Sequence, residues 1–303
     1  MTLRPLATAL AITAGLGLAV PSAASAAEPA CPTWSKSTVA SGLGVLENLA
    51  FDGRGGLLLS SQTLLGPGGA IKRVSAGGAS TTAVSNVTGP GGIVVDGRTA
   101  YFATGNSASS GVLGLKDGTI QALDLDTGAV RTTASGLTQP NGLERLPDGT
   151  FVVSRDLGLS TTMTRVAPSG ELSTYAPSIS STNGLAYDAS RHRLYVASTF
   201  NPTTTISGVD VRRPDAPPTV ATLPGIGPLN SADDLTVGAD GQVYVALNLA
   251  GKIVRVDPDT GTSCTIASGL PTSSSVAFGS GPGWDAGSLY VTSFLGTVTR
   301  LTP

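Results

Sequence analysis

Six short apolar phrases in the chain begin, at one common phase, with Glu47, Gly91, Asn141, Asn183, Asp233 and Ser274. Two carboxylates and two carboxamides therefore recur at one structural position. Oxygen donors of this kind suit a hard divalent cation, Ca2+ first, with Mg2+, Mn2+ or Zn2+ also admitted. Such a cation polarises a carbonyl and lowers the pKa of water, and a neighbouring carboxylate can then take the proton. The alternative is that Asn and Asp bond local backbone at strand starts, but Glu47 has no such role in turns. Other chemistries lack their residues. His192, the sole histidine, falls in the "SRHRLY" turn, so a Ser–His–Asp triad has no base at the ring. There is no G-x-S-x-G elbow, and the Gly-rich "GPGGAI" and "GGIVVDG" lack a phosphate-loop Lys.

The elements that position this ring are repeats. The phrases read "ENLAFDGRGGLLLSS", "GGIVVDGRTAYFAT", "NGLERLPDGTFVVS", "NGLAYDASRHRLYVAS", "DDLTVGADGQVYVAL" and "SSVAFGSGPGWDAGSLYVTS", at steps of 41 to 50 residues. Four short strands per repeat at that period predict a propeller blade. Strand a is the apolar run (184–188 in the fourth copy) and strand b follows a tight turn (193–198). Strand c resembles "GKIVRVDP" (251–258) and strand d resembles "SCTIASGL" (263–270). Asp148-Gly149 and Asp240-Gly241 predict the a–b hairpin turns, and "LDTG" and "PDTG" the c–d turns. The last copy ends on a strand c, while "SKSTVASGL" (35–43) matches "TSCTIASGL" (262–270). The expectation is an all-β, six-bladed propeller over residues 27–303 whose N-terminal strand completes the last blade and closes the ring.

The first 26 residues carry Arg4, an uncharged run from Leu6 to Val20 and the small-residue site Ala24-Ser25-Ala26. This is the layout of a secretory signal peptide; the alternative, a membrane anchor, has a short apolar run for a bilayer. The expectation is a secreted protein with no membrane attachment after cleavage. Charged residues make up 13% of the chain with a formal net charge of −2, which supplies no basic surface for nucleic acid. In an oxidising compartment the two cysteines, Cys31 and Cys264, most simply form one disulfide, which would fasten the ring closure. No oligomer is specified, and a monomer is the expectation.

In that order and spacing, Glu47 in "ENLAFD", Asn141 in "NGLERLPDG", Asn183 in "NGLAYD" and Asp233 in "DDLTVGADGQVYVA" resemble the gluconolactonase, senescence-marker-protein (regucalcin) and luciferin-regenerating-enzyme-like propellers. The resemblance runs from about residue 40 to the end. It implies a small lactone or ester substrate, metal on Glu47, Asn183 and Asp233, Asp233 as general base, and Asn141 facing the substrate or a metal-bound water. Three positions depart from the family pattern: Gln139 where sugar-lactone enzymes have Arg, Asn48 where Gly is common, and Asp234 where Gly is common. Gln139 leaves the substrate within the lactone or ester class open, and Asp234 is either a second base or a solvated neighbour. The b–c loops bring Arg155, Asp156, Phe200, Asn201 and Asn248 near the mouth, with Arg155 a candidate for an anionic substrate group or else a partner of Asp156. The longest loop, 105–118, is a candidate lid. Two functions follow: a metal-dependent hydrolase, or a non-catalytic binding propeller with a structural metal.

Overall fold

Each repeat folds as a four-stranded antiparallel sheet, and six such sheets form the β-propeller of this computed structural model, which describes residues 31–63 and 68–303. The leader expected over residues 1–26 lies outside the described residues. Among the described residues no helix is long and apolar enough to cross a membrane.

Strand b of each blade is the most apolar, as in "GLLLSSQ" (Gly56–Gln62) and "VYVAL" (Val243–Leu247), and is buried on both faces. A strand sandwiched between neighbouring blades has no solvent side, so alternation disappears and the run reads continuously apolar. Strand d is the reverse: Ser80–Val87, rich in Ser and Thr, is largely exposed at the rim. Between blades the apolar faces close on one another; Tyr195, Leu235, Val243, Val245 and Val254 form one such layer. Burial of about 25 cal/mol per Å² of apolar surface across six similar layers is the main term holding the ring.

The predicted hairpin turns are present. Gly149 (φ 85°) and Gly241 (φ 74°) sit in a–b turns, with Gly128 (φ 72°) and Gly261 (φ 73°) in c–d turns, all in the left-handed region that glycine adopts without steric cost. The aspartates before them bond their own turns; Asp148 accepts from Thr150 N at 2.9 Å and Asp257 from Asp259 N at 2.9 Å.

The ring closes as the sequence predicts. Ser35–Ala40 pairs antiparallel with Val298–Thr302, from Ser35 opposite Thr302 to Ala40 opposite Val298, and so supplies the outer strand of the sixth blade. The same segment is stitched to the fifth blade. Trp34 N donates to Ile266 O at 2.8 Å, Lys36 Nζ donates to Ser268 O at 2.6 Å, and Cys31 is bonded to Cys264 with Cα atoms 5.6 Å apart.

Candidate functional site

The ring residues owe their orientation to a break in strand pairing. In four inner strands the register shifts across two residues: between Leu46 and Leu49, Thr182 and Leu185, Ala232 and Leu235, and Ser273 and Val276. The pairs inside these bulges are Glu47-Asn48, Asn183-Gly184, Asp233-Asp234 and Ser274-Ser275. Gly91-Gly92 and Asn141-Gly142 occupy the equivalent places in the other two blades, each pair bonded to its strand b through Ala103 or Ser154. A bulge re-aims side chains locally, and here it sends the two members of a pair to different levels of the central channel. Glu47, Asn183 and Asp233 line a cavity of about 260 Å³ at the mouth of the b–c loops. Asn48 and Asp234 line a separate cavity of about 430 Å³ toward the other end.

The Gly that follows Asn in two phrases is now explained. A Cβ on Gly142 would lie 2.6 Å from Asn183 O, and one on Gly184 would lie 2.6 Å from Asp233 O. Neither glycine has a positive φ. These Asn-Gly pairs are sites of close approach between neighbouring inner strands, and not hairpin turns.

Within the upper cavity the polar contacts fix most donors and leave a few oxygens over. Glu47 Oε1 accepts from Asn141 Nδ2 at 2.9 Å and from Asn106 Nδ2 at 3.3 Å. Asp233 Oδ2 accepts from Asn248 Nδ2 at 2.9 Å. Thr199 gives its one hydroxyl proton to Ala232 O at 2.7 Å, so the Asn183 amide must donate to Thr199 Oγ1, at 3.0 Å. That orientation leaves Asn183 Oδ1 buried with no hydrogen-bond partner. An orphaned buried acceptor costs about 1–3 kcal/mol, and a cation in the cavity would remove that cost.

Electrostatics point the same way. Burial first, then the charges of Asp156 and Asp234, push Glu47 up to about 8. Burial, then Glu47 and Asp234, raise Asp233 well above the carboxylate range. Desolvation at the cavity wall raises Asp156 to about 6. Carboxylates that crowd one another resist ionisation until a positive charge joins them. Among the described residues no three His, Cys, Asp or Glu side chains gather as a metal cage; the set present is two carboxylates and one carboxamide. Its oxygen-only chemistry, with the free Asn183 carbonyl, fits a hard divalent cation.

The other expected residues divide between the cavity and its surroundings. Asn141 meets Glu47 and is held there. Gln139 lines the cavity, adopts φ 46°, and donates its amide to Asp156 Oδ1 at 2.7 Å, while its Oε1 is buried without a partner. Arg155 is not brought to the cavity: its guanidinium donates to Gly111 O at 2.6 Å and lines a different groove. Asp234 is not brought there either. Its carboxylate accepts from Asn48 Nδ2 at 2.7 Å, Leu235 N at 2.8 Å and Ser275 Oγ, one level below the ring. Asn48 and Asp234, the two residues that stand where Gly is common, thus meet each other. Loop 105–118 contains a short helix, Ala108–Leu113, capped by Ser107 and tied down through Ser110 Oγ, which accepts from Gln139 N at 3.1 Å and donates to Asp117 at 2.7 Å. Asn106, Thr199 and Phe294, which the repeat phase did not single out, also line the cavity; their signal would have been their position as the first or second residues of b–c loops.

Structural relatives share the architecture at low identity. A putative gluconolactonase superposes with a TM-score of 0.69 at 18% identity, covering 91% of this chain and 96% of that one. A gluconolactonase from Xanthomonas campestris gives 0.66 at 17%, covering 89% and 90%. A PQQ-bound aldose sugar dehydrogenase from Streptomyces coelicolor gives 0.65 at 20%, covering 91% and 99%. The same propeller therefore serves different chemistries, and function has to be argued from the site. No curated protein matches the chain. At the level of sequence, residues 154–294 match the model described as the SMP-30/Gluconolactonase/LRE-like region.

Proposed function

We propose that this protein is a secreted, metal-dependent hydrolase of a lactone or ester, with a divalent cation, Ca2+ first, held by Glu47, Asn183 and Asp233. The observation that carries the reading is Asn183 Oδ1, buried without a partner beside two carboxylates whose protons burial and mutual repulsion hold in place. When bound, the cation would polarise the scissile carbonyl and acidify the attacking water.

The chain's own residues do the rest. Asn248 holds one Asp233 oxygen and so orients this carboxylate as the general base. Asn141 and Asn106 fix Glu47 from one side. Gln139 and Asp156 bond each other and form a polar wall facing the ring. Export is supported by the leader-like residues 1–26 and by the Cys31–Cys264 disulfide, a bond at home in oxidising compartments.

The test is hydrolysis of a lactone and ester panel by the mature chain, before and after chelation and cation return. The expected result is activity lost on chelation, restored by a divalent cation, and cut at least about a hundredfold in Asp233→Asn, the scale of a missing general base. An Asp233→Asn protein as active as the parent would refute it. A second reading, a binding propeller with a structural cation, draws on Gln139 standing in place of the family's Arg and being engaged with Asp156; it predicts cation binding without turnover.

A further inference from the structure

The two faces of the propeller differ sharply in charge. The ion pairs among the described residues, from Arg54–Asp126 and Arg98–Asp126 to Arg191–Asp259 and Arg300–Asp285, belong to the face of the a–b and c–d turns. On the opposite face, the d–a and b–c loops that surround the candidate site hold only four charged residues, Lys116, Asp117, Arg155 and Asp156. Three of these are engaged: Asp117 by Ser110, Arg155 by Gly111 O and Asp156 by Gln139.

Apolar side chains take the place of charge. Of the eleven large hydrophobics that stand exposed among the described residues, eight lie on loops of this face, and the other three lie on or beside outer strands. Val112 (79% exposed), Leu159, Leu229, Leu249 and Leu295 come from different loops around the mouth. Each is close in sequence to a cavity residue: Val112 to Ala108, Leu159 to Leu157, Leu229 to Ser231, Leu249 to Asn248, Leu295 to Phe294. The apolar rim therefore continues outward from the cavity walls formed by Leu157, Phe200 and Phe294. Single exposed leucines are ordinary; their concentration around one opening marks a binding surface.

From this geometry we infer that the site takes an uncharged amphiphilic lactone or ester, whose carbonyl end enters the cavity and whose alkyl chain lies across the apolar rim. The inference rests on the hydrolase reading above for its reacting end. A polyhydroxylated sugar lactone leaves the apolar rim unused: its hydroxyls meet Asn106, Gln139 and Asn248 in the cavity but no partner at Leu159, Leu249 or Leu295. A carboxylate-bearing tail finds no cation in the cavity itself, since Lys116 and Arg155 line a separate groove.

The experiment uses the mature, cation-loaded protein and a γ-lactone series from four to ten carbons, with glucono-δ-lactone alongside. A half-buried chain gains about twofold in kcat/KM per added CH2, half the fully buried value in free energy. Over six added carbons the gain is about fiftyfold, and the ten-carbon to four-carbon ratio falls about tenfold in Leu159→Ser/Leu249→Ser/Leu295→Ser. A flat series, or glucono-δ-lactone as the better substrate, overturns the inference. Equilibrium binding of the neutral dye N-phenyl-1-naphthylamine separates the two readings. If no lactone is hydrolysed but decanol displaces the dye and glucose does not, with displacement weakened in the triple variant, the hydrolase reading falls and the amphiphile site stands. If the dye does not bind, if decanol does not displace it or the triple variant binds it as well as the parent, or if the rim instead drives self-association or vesicle binding that the triple variant abolishes, the inference falls.

Discussion

The contact between Asn48 and Asp234 can be weighed by a double-mutant cycle. Asp234 is buried below the ring, and its carboxylate accepts from Asn48 Nδ2 at 2.7 Å, Leu235 N and Ser275 Oγ. Asn48 in turn accepts Ile93 N at 3.0 Å on its Oδ1. Asn48→Ala removes one hydrogen bond to a charged group, about 1.5–3 kcal/mol, and leaves the Ile93 N–H unpaired, about 1–3 kcal/mol more. Asp234→Ala relieves repulsion at Glu47 and Asp233 but leaves the Asn48 amide, the Leu235 N–H and the Ser275 hydroxyl without their acceptor, at about 1–3 kcal/mol for each donor that stays unsatisfied. Both single variants lose the same Asn48–Asp234 bond, and the double variant should therefore cost less than their sum by about 1–3 kcal/mol. Urea unfolding followed by the fluorescence of Trp34 and Trp284 reads all four proteins. Additivity to within about 0.5 kcal/mol would show that the two residues do not act on each other, and would refute the linkage of the first and fifth blades through them.

Three further outcomes are expected. For the cation-free protein, Glu47 raised to about 8 and Asp156 and Asp234 raised to about 6 mean that the native state binds more protons than the unfolded chain. Their contribution to stability is complete below about pH 4 and is lost as pH rises through 6 to 8; thermal melts should fall from pH 5 to 8 without cation, and saturating Ca2+ should flatten the slope. Reduction of Cys31–Cys264, which spans 233 residues, should cost about 2–5 kcal/mol in unfolding free energy, with the loss seen by comparing denaturation in the presence and absence of a reductant. Gly184→Ala forces a Cβ to within 2.6 Å of Asp233 O, so it should destabilise by at least about 1–3 kcal/mol and weaken cation affinity by calorimetric titration, although no side chain in the cavity is changed.

Much of this molecule is written locally. The 41 to 50 residue period, the strand assignments, the Asp-Gly hairpins and the closing strand 35–43 follow from repeat phase and turn chemistry, because blades are built from contacts close in sequence. The Cys31–Cys264 disulfide is the simplest reading of two cysteines in an oxidising compartment, and matching 35–43 to 262–270 supports it by putting Cys31 next to the blade of Cys264. Phase also marked the ring positions, as every inner strand repeats one motif.

Tertiary structure decided what those positions do. Adjacent residues of one phrase part company at the bulge, so Asp233 reaches the cavity while Asp234 turns to Asn48, a partner 186 residues away. The Asn-Gly pairs, which resemble turns, prove to be contacts between neighbouring inner strands, fixed by backbone atoms of another blade. Arg155 is drawn off by Gly111 O, 44 residues distant, and Gln139 is occupied by Asp156. The sequence could name the donors because their phase is a local property. Which oxygens are left over for a cation depends on bonds between blades, and only the closed ring determines those.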